Sequence, residues 1–258
     1  MKKFIKKHWV DILLSIGAIT FMWLVWVISA LVIKNEYVVP KFSSTMNELF
    51  LLIKEEFFWQ SFLSTLYRTA IATLISFIVG GALAVLGYVI KPVAKFFKTI
   101  IAFMRTLPTM AVILLILLWT SPNSAPIVVA VLVLLPMFYS QFLSALNQID
   151  DGMINAIKVF RISKKDTFFK IYVPQVAPEV LTHLGANLSF GIKLIVSAEV
   201  MAYTFIGLGG MMQTAKTLYE NMARLSALTI ASVLTGIVIE LVFFFIFKNA
   251  FKWKREET

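Results

Sequence analysis

Six apolar runs, at residues 11–33, 61–90, 100–120, 126–148, 178–206 and 225–247, set the limits of what this chain can fold into. Each is close to the roughly 20 residues that a helix rising 1.5 Å per residue needs to cross a hydrocarbon layer. A water-soluble core cannot hide so much apolar surface. Of the 258 residues, 59% are hydrophobic and only 15% charged, against about 25% charged in ordinary soluble domains, and the mean hydropathy is +0.85. The expected fold is all-α, a single polytopic membrane domain over residues 1–258 with about six transmembrane helices. The run at 11–33 follows a basic start, MKKFIKKHW, that imitates a signal peptide. It is too long for a signal core and no small-residue cleavage site follows it, so it reads as a retained first membrane helix.

The cations orient these spans. Lys2, Lys3, Lys6 and Lys7 precede the first span, and Lys91, Lys95 and Lys98 separate the second from the third. Lys158, Arg161, Lys164, Lys165 and Lys170 lie between the fourth and fifth, and Lys248, Lys252, Lys254 and Arg255 follow the sixth. These sixteen of the 24 lysines and arginines fall on one side, which the positive-inside rule makes cytoplasmic. Both termini are therefore expected inside, in a multi-pass protein of a bacterial inner membrane. The same distribution argues against nucleic acid as a partner despite the net charge of +10, because the cations border apolar runs and form no single polar module. Cysteine is absent and histidine occurs twice, which excludes thiol catalysis and gives no basis for a dedicated metal site.

Outside the spans, Thr45-Met-Asn-Glu48 has capping-box spacing and predicts a short helix with Met46, Leu49, Phe50, Ile53 and Phe57 on its apolar side. Met211, Ala215, Leu218, Tyr219 and Met222 recur at helical spacing between Gly210 and Arg224. Both segments read as amphipathic helices near the outer interface, either as structural loops or as surfaces that meet an external partner. Within the spans, Gly80, Ala84 and Gly87 put small residues where another helix can approach closely. Pro108 and Pro136 are expected to kink or break spans three and four.

Residues 150–178, DDGMINAIKVFRISKKDTFFKIYVPQVAP, interrupt the apolar pattern for nearly thirty positions. Ile154, Ile157, Phe160, Ile162, Phe168, Phe169 and Ile171 are interleaved with the five cations named above. A link between two membrane helices needs only a few polar residues, so a segment this long, basic and amphipathic is expected to be a docking surface for a soluble partner. Ser163 and Asp166 have the spacing to start a helix at Lys164. Pro174 should discourage its continuation, and Pro178 suits the first turn of span five. The expectation is a helix, a turn near Arg161, a second helix and return to the membrane.

The spacing of this segment resembles the signature loop of binding-protein-dependent ABC importer permeases. That loop runs Glu-Ala-Ala, three residues, Gly, nine residues, then Ile-x-Leu-Pro. Asn155, Ala156 and Ile157, then Arg161, then Ile171, Val173 and Pro174 stand at the matching positions. Ser64-Thr-Leu-Tyr-Arg68, Arg105-Thr-Leu-Pro108, and Ala198-Glu199-Val200 followed by Gly207-Leu208-Gly209 resemble the same family in the same order, so the resemblance covers residues 60–250. The nearest branch is that of the nitrate, sulfonate and taurine permeases, which includes permeases for vitamin precursors.

The resemblance implies a type I importer permease, non-catalytic, whose residues 150–174 form the coupling element. Asn155, Ala156, Ile157, Phe160, Arg161, Ser163, Lys164, Ile171, Val173 and Pro174 would then meet a cytoplasmic ATPase. It further implies two such ATPases holding ATP and magnesium, a second permease copy, and an external substrate-binding protein. The chain itself has no phosphate-binding Gly-rich loop and would carry no cofactor. Asn155 lacks the family carboxylate. Arg161 replaces a glycine that ends a helix, at a cost of about 1 kcal/mol if the left-handed backbone is kept. Either the turn is built differently, or Arg161 contributes a contact with the ATPase.

Lys193 and Glu199 lie inside span five, where an ionisable group is costly unless paired or facing a cavity. At about 100° per residue their offset puts them on different faces, so they do not pair with each other. With Gly207 they are candidates for the translocation pathway or gate. Lys193 either meets an anionic substrate or pairs with a neighbouring helix, and Arg68 and Arg105 read as anchors near the two membrane surfaces. The substrate expected from these features is a small organic anion, sulfonate- or nitrate-like, or a vitamin precursor. The rival from another class is an ion-coupled secondary transporter that uses Lys193, Glu199 and Glu240 as a relay. An intramembrane enzyme has less support, because no cluster of His, Asp and Glu and no nucleophile–base pair is evident.

Overall fold

The computed structural model describes residues 2–250; Lys252, Lys254 and Arg255 lie outside the described residues. The chain is helical throughout its length: α1 (Lys2–Ile33), α2 (Phe42–Leu52), α3 (Glu56–Val89), α4 (Lys91–Thr106), α5 (Thr109–Leu117), α6 (Ala125–Asn147) and α7 (Asp151–Val159) come first. They are followed by α8 (Lys164–Asp166), a π-helical stretch (Thr167–Tyr172), α9 (Val173–Thr182), α10 (Leu184–Ala202), α11 (Leu208–Thr217) and α12 (Met222–Ala250). Helices α1, α3, α6, α10 and α12 are each long and apolar enough to cross a membrane, and α4 with α5, bent by 94° at the break between them, qualifies as a sixth when the pair is taken as one span. Apolar side chains such as Leu14, Ile19 and Met22 of α1 and Val238, Leu241 and Phe245 of α12 stay exposed, as expected where hydrocarbon replaces water.

The α3–α6 pair is the spine. A Cβ on Gly80 would lie 3.0 Å from the Tyr139 amide nitrogen and 3.1 Å from the Leu135 carbonyl oxygen, so the two backbones meet with no room for a side chain. Ala84 is fully buried against Tyr139 and Ile101, and Gly87 faces Ala94 at the α3–α4 hairpin. The small-residue spacing therefore performs the close approach that it predicts. Helix α10 crosses this pair, with Ile195 seated on Ala72, Leu134 and Phe138. Helix α12 closes the other side, where Ala227 and Leu228 meet Ile192, Met212 and Leu52.

Span three starts earlier than the apolar run implies and is broken. Helix α4 leaves the inner end of α3, passes Ala84 and Tyr139, and reaches the middle of α6, where Arg105 Nη2 donates to the Pro136 carbonyl (3.3 Å) and to Ser140 Oγ. The chain turns at Leu107 and Pro108, both extended, and α5 continues to the outer end of α6, with Ile113 and Ile116 against Ala125 and Val129. Pro108 thus breaks its span as expected. Pro136 does not: α6 runs through it, and its carbonyl also accepts from the Ser140 hydroxyl at 2.8 Å. Arg105 lies beside the midpoint of α6 and is no surface anchor.

Two outer segments also depart from expectation. Helix α2 starts at Phe42 with Lys41 as N-cap, so Thr45 is an interior residue, buried against the bundle, and caps nothing. Its buried side carries Thr45 and Leu52, while Phe50 and Ile53 are exposed. Tertiary contact has chosen a face different from the one that the apolar pattern suggests. Asn221 and Arg224 at the start of α12 tie α2 down: the Arg224 guanidinium is held by both carboxylate oxygens of Glu55, and Asn221 Nδ2 donates to Glu48 at 3.0 Å. Helix α11 packs Met211, Met212 and Ala215 into the core, while Leu218 and Tyr219 just beyond its end are exposed.

Gly80→Val is expected to lower stability by about 1–3 kcal/mol, because the added atoms meet backbone that cannot move aside. Gly17→Ala, where nothing lies within 4 Å of the new Cβ, should stay within about 0.5 kcal/mol. Thermal unfolding of the two variants in the same detergent makes the comparison.

Candidate functional site

Two constellations stand out, one at each end of the bundle. At the outer end, α3 presents Ser61, Thr65, Thr69 and Thr73 at four-residue intervals, all buried, with Arg68 beside them. Arg68 Nη1 lies 2.6 Å from Glu199 Oε1, and the two side chains are 7% and 0% exposed. No water competes for either charge, so the pair must be satisfied by protein, and it is. Arg68 also donates to the Ile206 carbonyl at 2.8 Å and to the Asn123 carbonyl at 3.2 Å. The Glu199 carboxylate accepts from the Thr65 hydroxyl at 2.9 Å and from the Gly209 amide at 3.0 Å. Thr65 Oγ1 in turn accepts from the Leu208 amide at 2.9 Å. Two of the free amides at the start of α11 are thereby met, and a carboxylate sits where the helix dipole favours it.

The glycines at this point are dictated by space. A Cβ on Gly207 would fall 2.6 Å from the Glu199 carboxyl carbon, and one on Gly209 would fall 2.4 Å from the Val196 carbonyl oxygen. One on Gly210 would overlap the Thr204 carbonyl. Helix α10 ends with Tyr203 in the left-handed conformation (φ 51°), which turns the chain back so that Thr204 Oγ1 reaches the Pro122 carbonyl at 2.9 Å. The result is a clasp that joins α3, the α5–α6 loop, the end of α10 and the start of α11.

Arg68 is therefore a buried structural cation, not the surface anchor that the sequence suggests. Glu199 and Gly207 are in direct contact, and Lys193 is on another face, as the helical offset requires. It opens on a groove of about 350 Å³ between α10, α5 and α12, where Ser197, Thr229 and Ser232 are its polar neighbours and Met110, Met201 and Met212 supply apolar wall. Glu240 is exposed on α12. Lys193, Glu199 and Glu240 thus lie in three different surroundings, and Glu199 is committed to Arg68. Sequence reasoning does not single out Thr65 or Asn123; the available signal is the four-residue spacing of hydroxyls along α3.

At the inner end, Asp150 caps α7, its carboxylate accepting from the Met153 amide at 3.1 Å. The helix ends as expected near Arg161. The Ile162 amide bonds back to the Ile157 carbonyl at 3.1 Å, and Arg161 takes the left-handed conformation with φ 49°. The glycine geometry is thus kept with an arginine in it, which removes the possibility of a differently built turn. Ser163 is the N-cap of the next helix: its Oγ accepts from the Asp166 amide at 3.1 Å and donates to the Asp166 carboxylate at 2.7 Å. Hydrogen bonds from Lys170 and Ser163 hold the Asp166 carboxyl below the ordinary carboxylate range.

Pro174 does not stop this helix. The Val173 amide bonds to the Phe168 carbonyl five residues back, and the wide π turn of residues 167–172 lets the chain pass Pro174 and continue as α9. Pro178 falls inside α9. Span five is therefore two helices, α9 and α10, meeting at His183. The outward side of the element carries Phe160 and Phe169, 76% and 61% exposed, among the exposed Arg161, Lys164 and Lys165. Asn155 and Val173 are exposed, Ala156, Ile157 and Ile171 half-buried. Among the described residues no group of His, Asp and Glu is placed to hold a metal.

Known proteins are similar to this chain in sequence and in fold. A model of the family described as binding-protein-dependent transport system inner membrane component matches residues 76–255. The taurine transport system permease protein of Escherichia coli is 22% identical over 232 residues, covering 87% of this chain and 84% of the relative. The bicarbonate transport system permease protein of a Synechocystis species is 28% identical over 154 residues, covering 59% of this chain and 54% of the relative. Among solved structures, an inward-facing form of the MetNI methionine ABC transporter superposes with a TM-score of 0.63 at 20% identity, covering 74% of this chain and 96% of that one. An amino acid ABC transporter with histidines gives 0.64 at 15% identity, covering 75% and 94%. These likenesses between structures establish the fold.

Removing one member of the outer pair, as in Arg68→Ala or Glu199→Ala, should cost about 3–5 kcal/mol, because the survivor is left as an uncompensated buried charge. The double variant Arg68→Met, Glu199→Leu should recover much of that loss. Thermal unfolding of all three in detergent reads this out, and additive losses in the double variant would show that the two residues act separately.

Proposed function

The chain belongs to the family of binding-protein-dependent transport system inner membrane components and is a permease subunit of an ABC importer; from that premise we propose that residues 150–174 are its coupling element, docking into a cytoplasmic ATPase. The observation that carries this reading is the exposure of both Phe160 and Phe169 on a basic segment whose turn is fixed by Ser163, Asp166 and the left-handed Arg161. Large exposed aromatics beside cations are what a protein partner buries at the centre of an interface. Arg161, already paying for its backbone, earns a contact there.

Two permease copies would pair around a shared pathway, with two ATPases bound inside and a substrate-loaded binding protein outside. Closure of the ATPases on ATP and magnesium would press on α7 and the 163–172 stretch, and the rigid run from Ser163 to Thr182 would carry that displacement to α10. Lys193 and its groove would then change access from one side to the other, with the Glu199–Gly207 clasp as the outer limit of the pathway. The chain performs no chemistry: it is a two-state element biased by its partners.

The groove around Lys193 supports a small organic anion as cargo. One ammonium group supplies charge recognition, the Ser197 hydroxyl supplies a donor (those of Thr229 and Ser232 are given to the Leu225 and Leu228 carbonyls), and the methionines accommodate an apolar body. Its largely apolar wall keeps a vitamin precursor as the second reading.

Three outcomes follow in the complex reconstituted with its ATPase and binding protein. Phe160→Ala with Phe169→Ala should lower transport-coupled ATP hydrolysis by about tenfold or more. Arg161→Gly, which relieves the backbone, should also lower it if the side chain touches the ATPase, and unchanged hydrolysis would assign Arg161 to the turn alone. Lys193→Met should reduce uptake of an anionic cargo by about tenfold while Lys193→Arg retains it. Uptake that ignores ATP and follows an ion gradient would overturn the importer mechanism.

A further inference from the structure

A continuous groove runs along the inner half of the bundle, between the spans and the basic element. Its deep part, about 180 Å³, is bounded by Phe77 of α3, Phe142 and Leu146 of α6, and Val176, Val180 and Leu181 of α9. Val85, Leu146, Phe168 and Tyr172 belong both to this part and to a wider mouth of about 350 Å³. The mouth adds Tyr88, Ile157, Ile162, Thr167 and Lys164. The wall is apolar for its whole depth and becomes polar only at the mouth, where the one ionisable cation is Lys164 and no carboxylate lines the space. The nearest acid in sequence, Asp166, is held by Lys170 at 2.7 Å.

Length and position narrow the occupant. From Phe77 to Val89, which bound the groove along α3, is about 18 Å of helix at 1.5 Å per residue. One leaflet of a hydrocarbon core is roughly 15 Å deep. The groove therefore spans one leaflet, the cytoplasmic one, with its cation at headgroup depth. The π turn at 167–172 shapes it, because Phe168 and Tyr172 stand on that turn and line both parts. Phe160, Arg161, Lys165 and Phe169 line neither part, so of the outward-side residues named above only Lys164 also reaches the groove, at its mouth.

We propose that this groove binds one anionic phospholipid of the inner leaflet, its acyl chain along α3, α6 and α9 and its phosphate on Lys164. An apolar slot of leaflet depth ending on a lysine has the charge and shape of such a lipid, and a zwitterionic headgroup would place its own ammonium against Lys164. A lipid seated there fills the space between the basic element and the spans. Its occupancy sets how firmly the two move together, a property independent of which cargo the pathway carries.

The test uses the full chain in detergent with phosphatidylglycerol or phosphatidylcholine carrying the same photoactivatable acyl chain. Phosphatidylglycerol should label peptides spanning residues 168–181 at least fivefold more than phosphatidylcholine. Lys164→Ala should bring the two lipids to the same level, and Ala177→Trp should remove labelling by filling the slot; thermal unfolding checks that both variants are folded. Equal labelling by the two lipids, a preference unchanged in Lys164→Ala, or label spread evenly onto α12 would overturn the proposal. So would displacement of phosphatidylglycerol by an equal concentration of oleate, which would assign the slot to a free fatty acid.

Discussion

The Arg68–Glu199 pair is the interaction on which the outer half of this protein depends. A bilayer offers no water to a stranded charge, so each member is stable there only because of the other and the ring of donors and acceptors around them. That ring draws in four separate pieces of chain. It fixes where α10 stops, how the chain turns at Tyr203, and where α11 begins. The glycines at 207, 209 and 210 are consequences of the same pair, since the carboxylate and the surrounding carbonyls occupy the space that side chains would need. Loop and charge form one object.

Much of this was legible in the residues themselves. Run length was enough to find most of the spans, because it follows from the thickness of the bilayer. The Gly80, Ala84, Gly87 series announced the α3–α6 contact, and Ser163 with Asp166 announced a helix start that the structure contains. What was not legible depended on partners distant in sequence. Arg68 reads as a surface anchor until Glu199, 131 positions away, is brought beside it. Thr45 has the spacing of a cap, yet burial against α12 decides its place. Pro174 and Pro136 look like breakers by local rules; a π turn carries the chain past the first, and α6 runs on through the second. Local propensity lost at each of these points to tertiary contact.

The two ends of the molecule are held differently. The outer end is fastened by charge-assisted bonds: Arg68 to Glu199, and Arg224 of α12 to Glu55 at the start of α3. The inner end is joined mainly through apolar and aromatic contacts, such as Tyr88 against Tyr172 and Ile149 against Val176. Charge-assisted bonds are directional and fail when their atoms separate, whereas apolar contacts tolerate sliding. A partner that pushes on residues 150–174 meets the more compliant end, and on the proposed reading that is the end where work is delivered.

Helix α1 deserves a separate word, since it stands clear of the bundle and touches it chiefly through Trp23 and Trp26 against Phe42, with the Trp26 indole donating to the Pro40 carbonyl. It therefore adds almost nothing to the cohesion of the other helices. Residues 34–41 are thus a short tether between one outlying span and a bundle whose own helices are long and apolar enough to hold it in the bilayer without that span.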